Sequence, residues 1–121
     1  MSIALAIAAG ALYGAGVYLL MRRALTRIVL GLALLAHGAN LLILAAGGAA
    51  GRPPFAGEDP AGAADPLPQA LILTAIVISF ATTAFLLTIL VVTHRRTATL
   101  LVDELARIDR PAPPVATTID A

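Results

Sequence analysis

The sequence has 121 residues, of which 60% are apolar and only 12% are charged, and its formal net charge is +1. A soluble domain usually carries about 25% charged residues, so this composition indicates lipid rather than water as the main solvent. The sequence contains no cysteine and no tryptophan. This excludes disulfides, thiolate metal sites and cysteine nucleophiles, and it leaves little aromatic surface for stacking on nucleic acid bases, so a nucleic acid partner is not expected.

Three uncharged apolar segments make up most of the chain. They cover residues 3–21, 28–46 and 70–93, and about 20 apolar residues suffice for a helix to cross the hydrocarbon core of a bilayer. Strands are excluded because three strands cannot close a barrel and would leave backbone groups unpaired in lipid. The sequence therefore predicts an all-α integral membrane protein with three transmembrane helices.

The charges between these segments predict the orientation of the chain. Basic residues follow the first segment instead of preceding it, which is not the pattern of a cleavable signal peptide. Both the first connection and the region after the third segment are basic, whereas the loop at residues 47–69 is mainly acidic. The positive-inside rule then places the N-terminus and the second loop outside and the C-terminus inside. The deciding residues are Arg22, Arg23 and Arg27, then Arg52 against Glu58, Asp59 and Asp65, and finally His94, Arg95 and Arg96.

Two segments lie outside the predicted membrane helices. The outer loop at residues 47–69 is rich in glycine and proline, which predicts irregular structure. In the cytoplasmic tail, residues 97–121, Leu101, Leu105 and Ile108 fall on one helical face. The third helix is therefore expected to continue as an amphipathic helix until Pro111, with a disordered end beyond it.

Polar residues within the predicted spans are the candidates for an ion path. His37 and Asn40 are three residues apart and share a face of the second helix. Because imidazole changes charge near neutral pH, His37 is a candidate proton relay; the alternative is a neutral histidine that hydrogen-bonds to a neighbouring helix, as Asn40 would. The third helix adds hydroxyls that either line a hydrated path or bond back to their own backbone. These are Thr74, Ser79, Thr82 and Thr83.

Small residues recur on the first two helices. Gly10 and Gly14 form one small pair, and Gly31, Gly38 and Ala45 follow one another at seven-residue intervals. Such stripes let helix backbones approach closely, so they predict packing against other helices. No catalytic set, phosphate-binding loop or metal-ligand spacing is present in the sequence, so neither enzymatic activity nor a metal or other cofactor is expected.

Two longer motifs resemble a known family. Residues 31–42, GLALLAHGANLL, are similar to a run in the C subunit of Mrp (or Mnh) multisubunit sodium/proton antiporters. Residues 65–78, DPLPQALILTAIVI, resemble the start of the third helix in the same family. The likeness extends over about residues 3–96. It implies a small subunit in a bacterial cell membrane that packs against the large antiporter-like subunits and other small membrane subunits of a complex exchanging sodium for protons.

The resemblance leaves two alternatives open. The antiporter C subunits are related to the K subunit of respiratory NADH dehydrogenase, which has a glutamate in its second helix and another in its third. Those positions correspond to Ala33 and to the neighbourhood of Ala81, so both acids are missing. This argues against the first alternative, a K-type membrane subunit of a respiratory NADH- or ferredoxin-linked complex. His37 lies one turn beyond Ala33 and could supply a titratable group on that face. A more remote alternative is a self-assembling pore of the holin type, which the DPLPQAL motif disfavours.

Overall fold

The computed structural model describes residues 3–48 and 50–111, and the described chain is almost entirely helical. The first three helices are long and apolar enough to cross a membrane, which confirms the predicted all-α class with three transmembrane helices. The predicted disordered end, residues 112–121, lies outside the described residues. The helices are α1, Ile3–Leu20; α2, Leu25–Ala46; α3, Pro66–Thr97; and α4, Val102–Ile108.

Helix α2 is the central helix of the three, because it packs against α1 and also against α3. Very little side-chain surface is removed from solvent by this packing. Within the described part of the chain, the buried apolar residues are Ala9, Val29 and Leu90. Large apolar side chains elsewhere are open, for example Ile3 at 79% and Phe80 at 77% exposure. Such a surface is stable only against lipid or against the helices of other subunits.

Helix α3 begins four residues before the predicted third span, and the local sequence explains why. The Asp65 carboxylate accepts a hydrogen bond from the backbone N–H of Leu67 at 3.0 Å, so Asp65 caps the helix. Pro66 follows in the first helical position, where its fixed φ suits a helix and no N–H is needed. The helix has 32 residues, or roughly 48 Å at about 1.5 Å per residue, which exceeds a hydrocarbon core of about 30 Å.

The third helix does not continue into the amphipathic segment, contrary to expectation. It ends at Thr97 because Ala98 adopts a left-handed conformation, with φ 55°, and its N–H bonds to the His94 carbonyl at 2.8 Å. The chain then turns back as a short return segment, residues 98–101, and α4 forms separately after it. The sequence predicted the apolar face of α4. It did not predict the interruption between α3 and α4, because this interruption depends on one alanine, Ala98, in a backbone conformation that residues with a side chain disfavour.

The return segment is attached to the connection between α1 and α2. The Leu25 N–H donates to the Leu100 carbonyl at 3.0 Å, and the Val102 N–H donates to the Arg23 carbonyl at 2.9 Å. An ion pair between Arg23 and Asp103, with a nitrogen–oxygen distance of 2.6 Å, lies beside these bonds. Both charged side chains are largely exposed, so the backbone bonds, rather than the ion pair, fix this end of the molecule.

The loop between α2 and α3 is organised around Arg52. Its guanidinium donates to the carbonyl oxygen of Asp59 at 2.8 Å and more weakly to that of Ala61 at 3.3 Å. Its backbone pairs with the strand-like residues opposite: the Arg52 N–H donates to the Gly62 carbonyl and the Ala64 N–H donates to the Arg52 carbonyl, both at 2.9 Å. The loop therefore has a defined path although its described residues form neither a helix nor an extended sheet.

Candidate functional site

The contact between α1 and α2 depends on glycine. A methyl group placed on Gly31 would lie 2.8 Å from the Gly16 carbonyl oxygen, and one placed on Gly16 would lie 2.8 Å from Cγ of Leu35. A methyl group on Gly38 would lie 2.9 Å from Cδ2 of Tyr13. The backbones thus approach closely at Gly16 and Gly31, and the Tyr13 ring fills the space above Gly38.

The predicted small-residue positions therefore divide into two groups. Gly31 and Gly38 are occupied within this chain by α1, and not by a partner subunit, while Ala45 is half-buried farther along α2. Gly10 and Gly14 are exposed, and added methyl groups there would have no neighbour within 4 Å. The face of α1 that carries Gly10 and Gly14 is open to whatever surrounds this chain.

The candidate hydroxyls of α3 also divide by helical face. Every third or fourth residue of α3 is less exposed than its neighbours, which marks the stripe that packs on α2. Ser79 and Thr83 belong to that stripe, whereas Thr74 and Thr82 are exposed beside it. The stripe includes Ile72, Ala75, Ser79, Thr83, Leu86, Leu90 and Thr93.

The register between α2 and α3 follows from their two ends. A methyl group on Gly47 would touch the Pro68 ring at 3.1 Å, and at the opposite end Thr26 and Leu90 line one hollow. Counting equal numbers of residues from the Gly47 end along the two antiparallel helices places Asn40 level with Ala75 and His37 level with Ile78.

By this register His37 and Ser79 lie at nearly the same depth, whereas Asn40 and Thr83 lie about one turn away on opposite sides of that level. Asn40, Ser79 and Thr83 are half-buried along the seam between α2 and α3, and His37 is exposed at its edge. Ala33, which the sequence resemblance aligned with the second-helix glutamate of K-type subunits, is half-buried one turn from His37. Among the described residues, the membrane part of this seam contains hydroxyl, amide and imidazole groups but no carboxylate.

The hydrogen bonds distinguish two kinds of polar residue in the membrane. The Thr74 hydroxyl donates to the Ala70 carbonyl at 3.1 Å, and the Thr88 hydroxyl donates to the Ala84 carbonyl at 2.8 Å. These hydroxyls are satisfied by their own helix. Within the described chain, the other candidates make no side-chain hydrogen bond; they are His37, Asn40, Ser79, Thr82 and Thr83.

This arrangement determines what the seam can do by itself. An unpaired polar group in hydrocarbon costs several kcal/mol, so His37 and Asn40 require water or a polar partner from outside the chain. No group of three or more possible metal ligands occurs among the described residues. Within the described chain, the seam between α2 and α3 therefore leaves the side chains of His37 and Asn40 without a hydrogen-bond partner.

Several structurally important residues were missed in the sequence. Gly16 and Tyr13 could not have been paired with Gly31 and Gly38 by counting, because folding at the predicted connection, residues 22–27, places Gly31 level with Tyr18 and Gly38 level with Ala11, whereas the structure pairs Gly31 with Gly16 and Gly38 with Tyr13. Asp65 carried a recognisable signal, an aspartate directly before a proline that opens a helix. The role of Arg52 had no such signal, because its partners are backbone carbonyls of a loop with no periodic pattern.

The chain matches the family described as NADH-ubiquinone/plastoquinone oxidoreductase chain 4L over residues 4–110. It is 48% identical over 106 residues to the C subunit of the Na⁺/H⁺ antiporter of Alkalihalophilus pseudofirmus, covering 87% of this chain and 95% of that protein. It is 49% identical over 88 residues to the C subunit of the Na⁺/H⁺ antiporter of Bacillus subtilis, covering 72% of this chain and 78% of that protein.

Two solved structures contain chains with the same fold. One is the Mrp complex from Dietzia sp., in which a chain aligns with a TM-score of 0.75 at 39% identity, covering 98% of this chain and 94% of that one. The other is the membrane-bound sulfane sulfur reductase, an archaeal respiratory membrane complex, with a TM-score of 0.74 at 35% identity, covering 86% of this chain and 97% of that one.

Proposed function

The chain belongs to the family of Na⁺/H⁺ antiporter C subunits, within the wider family of oxidoreductase chain 4L proteins, and we propose that it acts as a small membrane subunit of a sodium/proton antiporter complex. It resides in a bacterial cell membrane as a multi-pass protein. Its partners there are the other subunits of the complex, and its main role is to pack against and support the subunits that move the ions.

The observation that supports this proposal most directly is the set of polar side chains along the contact between α2 and α3 that have no hydrogen-bond partner within the described chain. His37 and Asn40 lie in the middle part of α2, and neither forms a side-chain hydrogen bond within the described chain. In the part of the chain that the structure describes, three helices with so few buried residues offer little enclosed space for an ion. A large neighbouring subunit would both satisfy these side chains and provide the charged groups of an ion path.

A K-type subunit of a respiratory complex is the second candidate. The chain 4L match and the likeness to a chain of an archaeal respiratory complex both favour it. Against it, the resemblance aligns the two glutamates of K-type subunits with Ala33 and with the neighbourhood of Ala81, where this chain has no acidic residue. The antiporter relatives match this chain at 48–49% identity, and the antiporter assignment requires no intramembrane carboxylate from this chain.

The orientation proposed for the complex follows from charge. Arg22, Arg23 and Arg27 lie at the same end of the helices as Arg95 and Arg96, because α1, α2 and α3 are antiparallel in sequence order. The acidic loop with Glu58 and Asp59 lies at the other end. Placing the arginine-rich end in the cytoplasm satisfies the positive-inside rule at every connection.

Purification of the intact complex tests the proposal. An affinity tag placed after residue 121 should, after mild detergent extraction from the native membrane, recover large antiporter-like subunits in fixed proportion to the tagged chain. Recovery of electron-transfer subunits with iron–sulfur or flavin centres would support the K-type alternative instead. Recovery of the chain only as a homo-oligomer would contradict both and favour a self-assembling pore.

A further inference from the structure

An open hollow lies at the arginine-rich end of the molecule, between α2, α3 and the return segment. Its volume is about 450 Å³, which falls within the range of roughly 300–1,000 Å³ found for small-ligand sites. The wall is apolar and is formed by Leu87, Leu90, Val91 and Leu100, while His94 and Arg95 lie at the charged end of the helix. An apolar wall that ends in a cationic group matches an amphiphile with a negative head.

The shape of the hollow is fixed by backbone bonds. Leu100 is held in place because its carbonyl accepts the Leu25 N–H at 3.0 Å, and the return segment is held again where Val102 bonds to Arg23 at 2.9 Å. Leu90 is buried at the contact with α2. The hollow is therefore a consequence of the turn at Ala98, which sends the chain back across the end of α3.

The charge at the mouth of the hollow is uncompensated. Among the described residues, Arg23 pairs with Asp103 at 2.6 Å and Arg22 lies over the Tyr18 ring at 4.4 Å. Arg95, by contrast, has no acidic partner within the described chain. A guanidinium at the membrane boundary beside an apolar hollow attracts a phosphate group and leaves the attached hydrocarbon against the wall.

We propose that this hollow binds an anionic phospholipid, with an acyl chain along Leu87, Leu90 and Val91 and the phosphate at Arg95. A soluble phosphate would use only the arginine and leave the apolar wall in contact with water. A lipid uses both, and it comes from the bilayer in which the helices already lie. The site does not depend on the antiporter assignment, since it is built from the geometry of this chain.

The test uses the full chain, purified in detergent and studied by native mass spectrometry with added lipids. Phosphatidylglycerol and phosphatidylcholine with identical acyl chains separate the contribution of charge from that of hydrocarbon. We expect phosphatidylglycerol to be retained preferentially by the unmodified chain. Arg95→Gln should weaken its retention roughly fivefold, the factor for one arginine near an anionic surface. Arg96→Gln is the matched control, because Arg96 carries the same charge at the same boundary but does not line the hollow.

A second pair of variants tests the apolar wall. Val91 and Val92 are both exposed, at 52% and 45%, but only Val91 lines the hollow. Val91→Phe should reduce the retention of both lipids, whereas Val92→Phe should leave it unchanged. Circular dichroism of each variant establishes that its helix content is preserved. The lipid comparison on the unmodified chain needs no substitution, so the proposal is testable even if a variant fails to fold.

Four results on the isolated chain would overturn the proposal. These are equal retention of the two lipids by the unmodified chain, equal losses for Arg95→Gln and Arg96→Gln, no difference between Val91→Phe and Val92→Phe, and displacement of the lipid by inorganic phosphate. A protein occupant is tested in the assembled complex, with a photoreactive group attached to Val91→Cys in this otherwise cysteine-free chain. Crosslinking to lipid supports the proposal, and crosslinking to a partner protein contradicts it.

Discussion

Gly16 and Gly31 bring the backbones of α1 and α2 into direct contact, since a methyl group on Gly31 would lie 2.8 Å from the Gly16 carbonyl oxygen and 3.1 Å from Cβ of Leu19. The obstacle is in part backbone, which cannot move aside as the end of a flexible side chain can. The separation between the α1 and α2 backbones at this point is therefore too short for any residue larger than glycine unless the helices shift.

Gly31→Ala should separate α1 from α2 and destabilise the chain by about 1–3 kcal/mol, the range for overpacking a close contact. The measurement is thermal unfolding of the full chain in detergent, followed by circular dichroism. Gly14→Ala is the matched control because nothing lies within 4 Å of the added methyl group, and it should be neutral or slightly stabilising. Similar losses in both variants would show that the contact does not depend on Gly31.

Asp65→Ala should loosen the start of α3. The helix begins Pro66-Leu67-Pro68, so few N–H groups need a partner there, and Asp65 satisfies that of Leu67 at 3.0 Å. Loss of a cap of this kind costs about 0.5–2 kcal/mol, and hydrogen exchange at Leu67 should accelerate in mass spectrometry of the peptide that contains it. Asp65→Asn keeps an oxygen acceptor and should stay near the original rate; equal acceleration in both variants would argue against the cap.

These two examples show how far the sequence allowed the fold to be predicted. Charge-free apolar runs identified three membrane helices because a bilayer admits little else. Asp65-Pro66 could also have marked the start of α3, four residues before the apolar run that was used. The end of α3 could not be predicted, because Leu101, Leu105 and Ile108 continue its apolar period while the helix is interrupted at Ala98. The segment after that turn is held by tertiary hydrogen bonds to Arg23 and Leu25, which the apolar pattern does not reveal.

The candidate site was predictable to a smaller extent. The residue types and their helix faces indicated His37, Asn40, Ser79 and Thr83, but their relative depths depend on the register between α2 and α3. That register is set by contacts such as Gly47 against Pro68, which no local pattern reveals. Whether these side chains take part in ion movement stays a prediction.

His37→Gln should leave assembly and antiport largely intact if His37 serves as a hydrogen-bonding contact to a partner subunit. Glutamine can replace that hydrogen bond but cannot change charge near neutral pH. His37→Leu, which removes the hydrogen bond as well, should reduce recovery of the partner subunits on purification. An assembled His37→Gln complex that has lost antiport, or whose pH profile is displaced, would instead assign a relay role to His37.

The orientation can be measured with single cysteines, because the natural chain has none. Ala56 and Ala106 are both exposed, the first in the acidic loop and the second in α4. In intact cells, Ala56→Cys should react with a membrane-impermeant maleimide and Ala106→Cys should react only after permeabilisation. The reverse pattern would place the arginine-rich end outside and contradict the positive-inside assignment.

The central claim is that this chain supports cation/proton exchange as one subunit of a complex and does not perform it alone. The most direct measurement is sodium-dependent proton flux in everted membrane vesicles from cells that have the whole complex, the complex without this chain, or this chain alone. We expect flux only with the whole complex, and its recovery when the chain is restored from a separate gene copy. Undiminished flux without the chain, or sodium-dependent proton flux from the chain alone, would contradict the account.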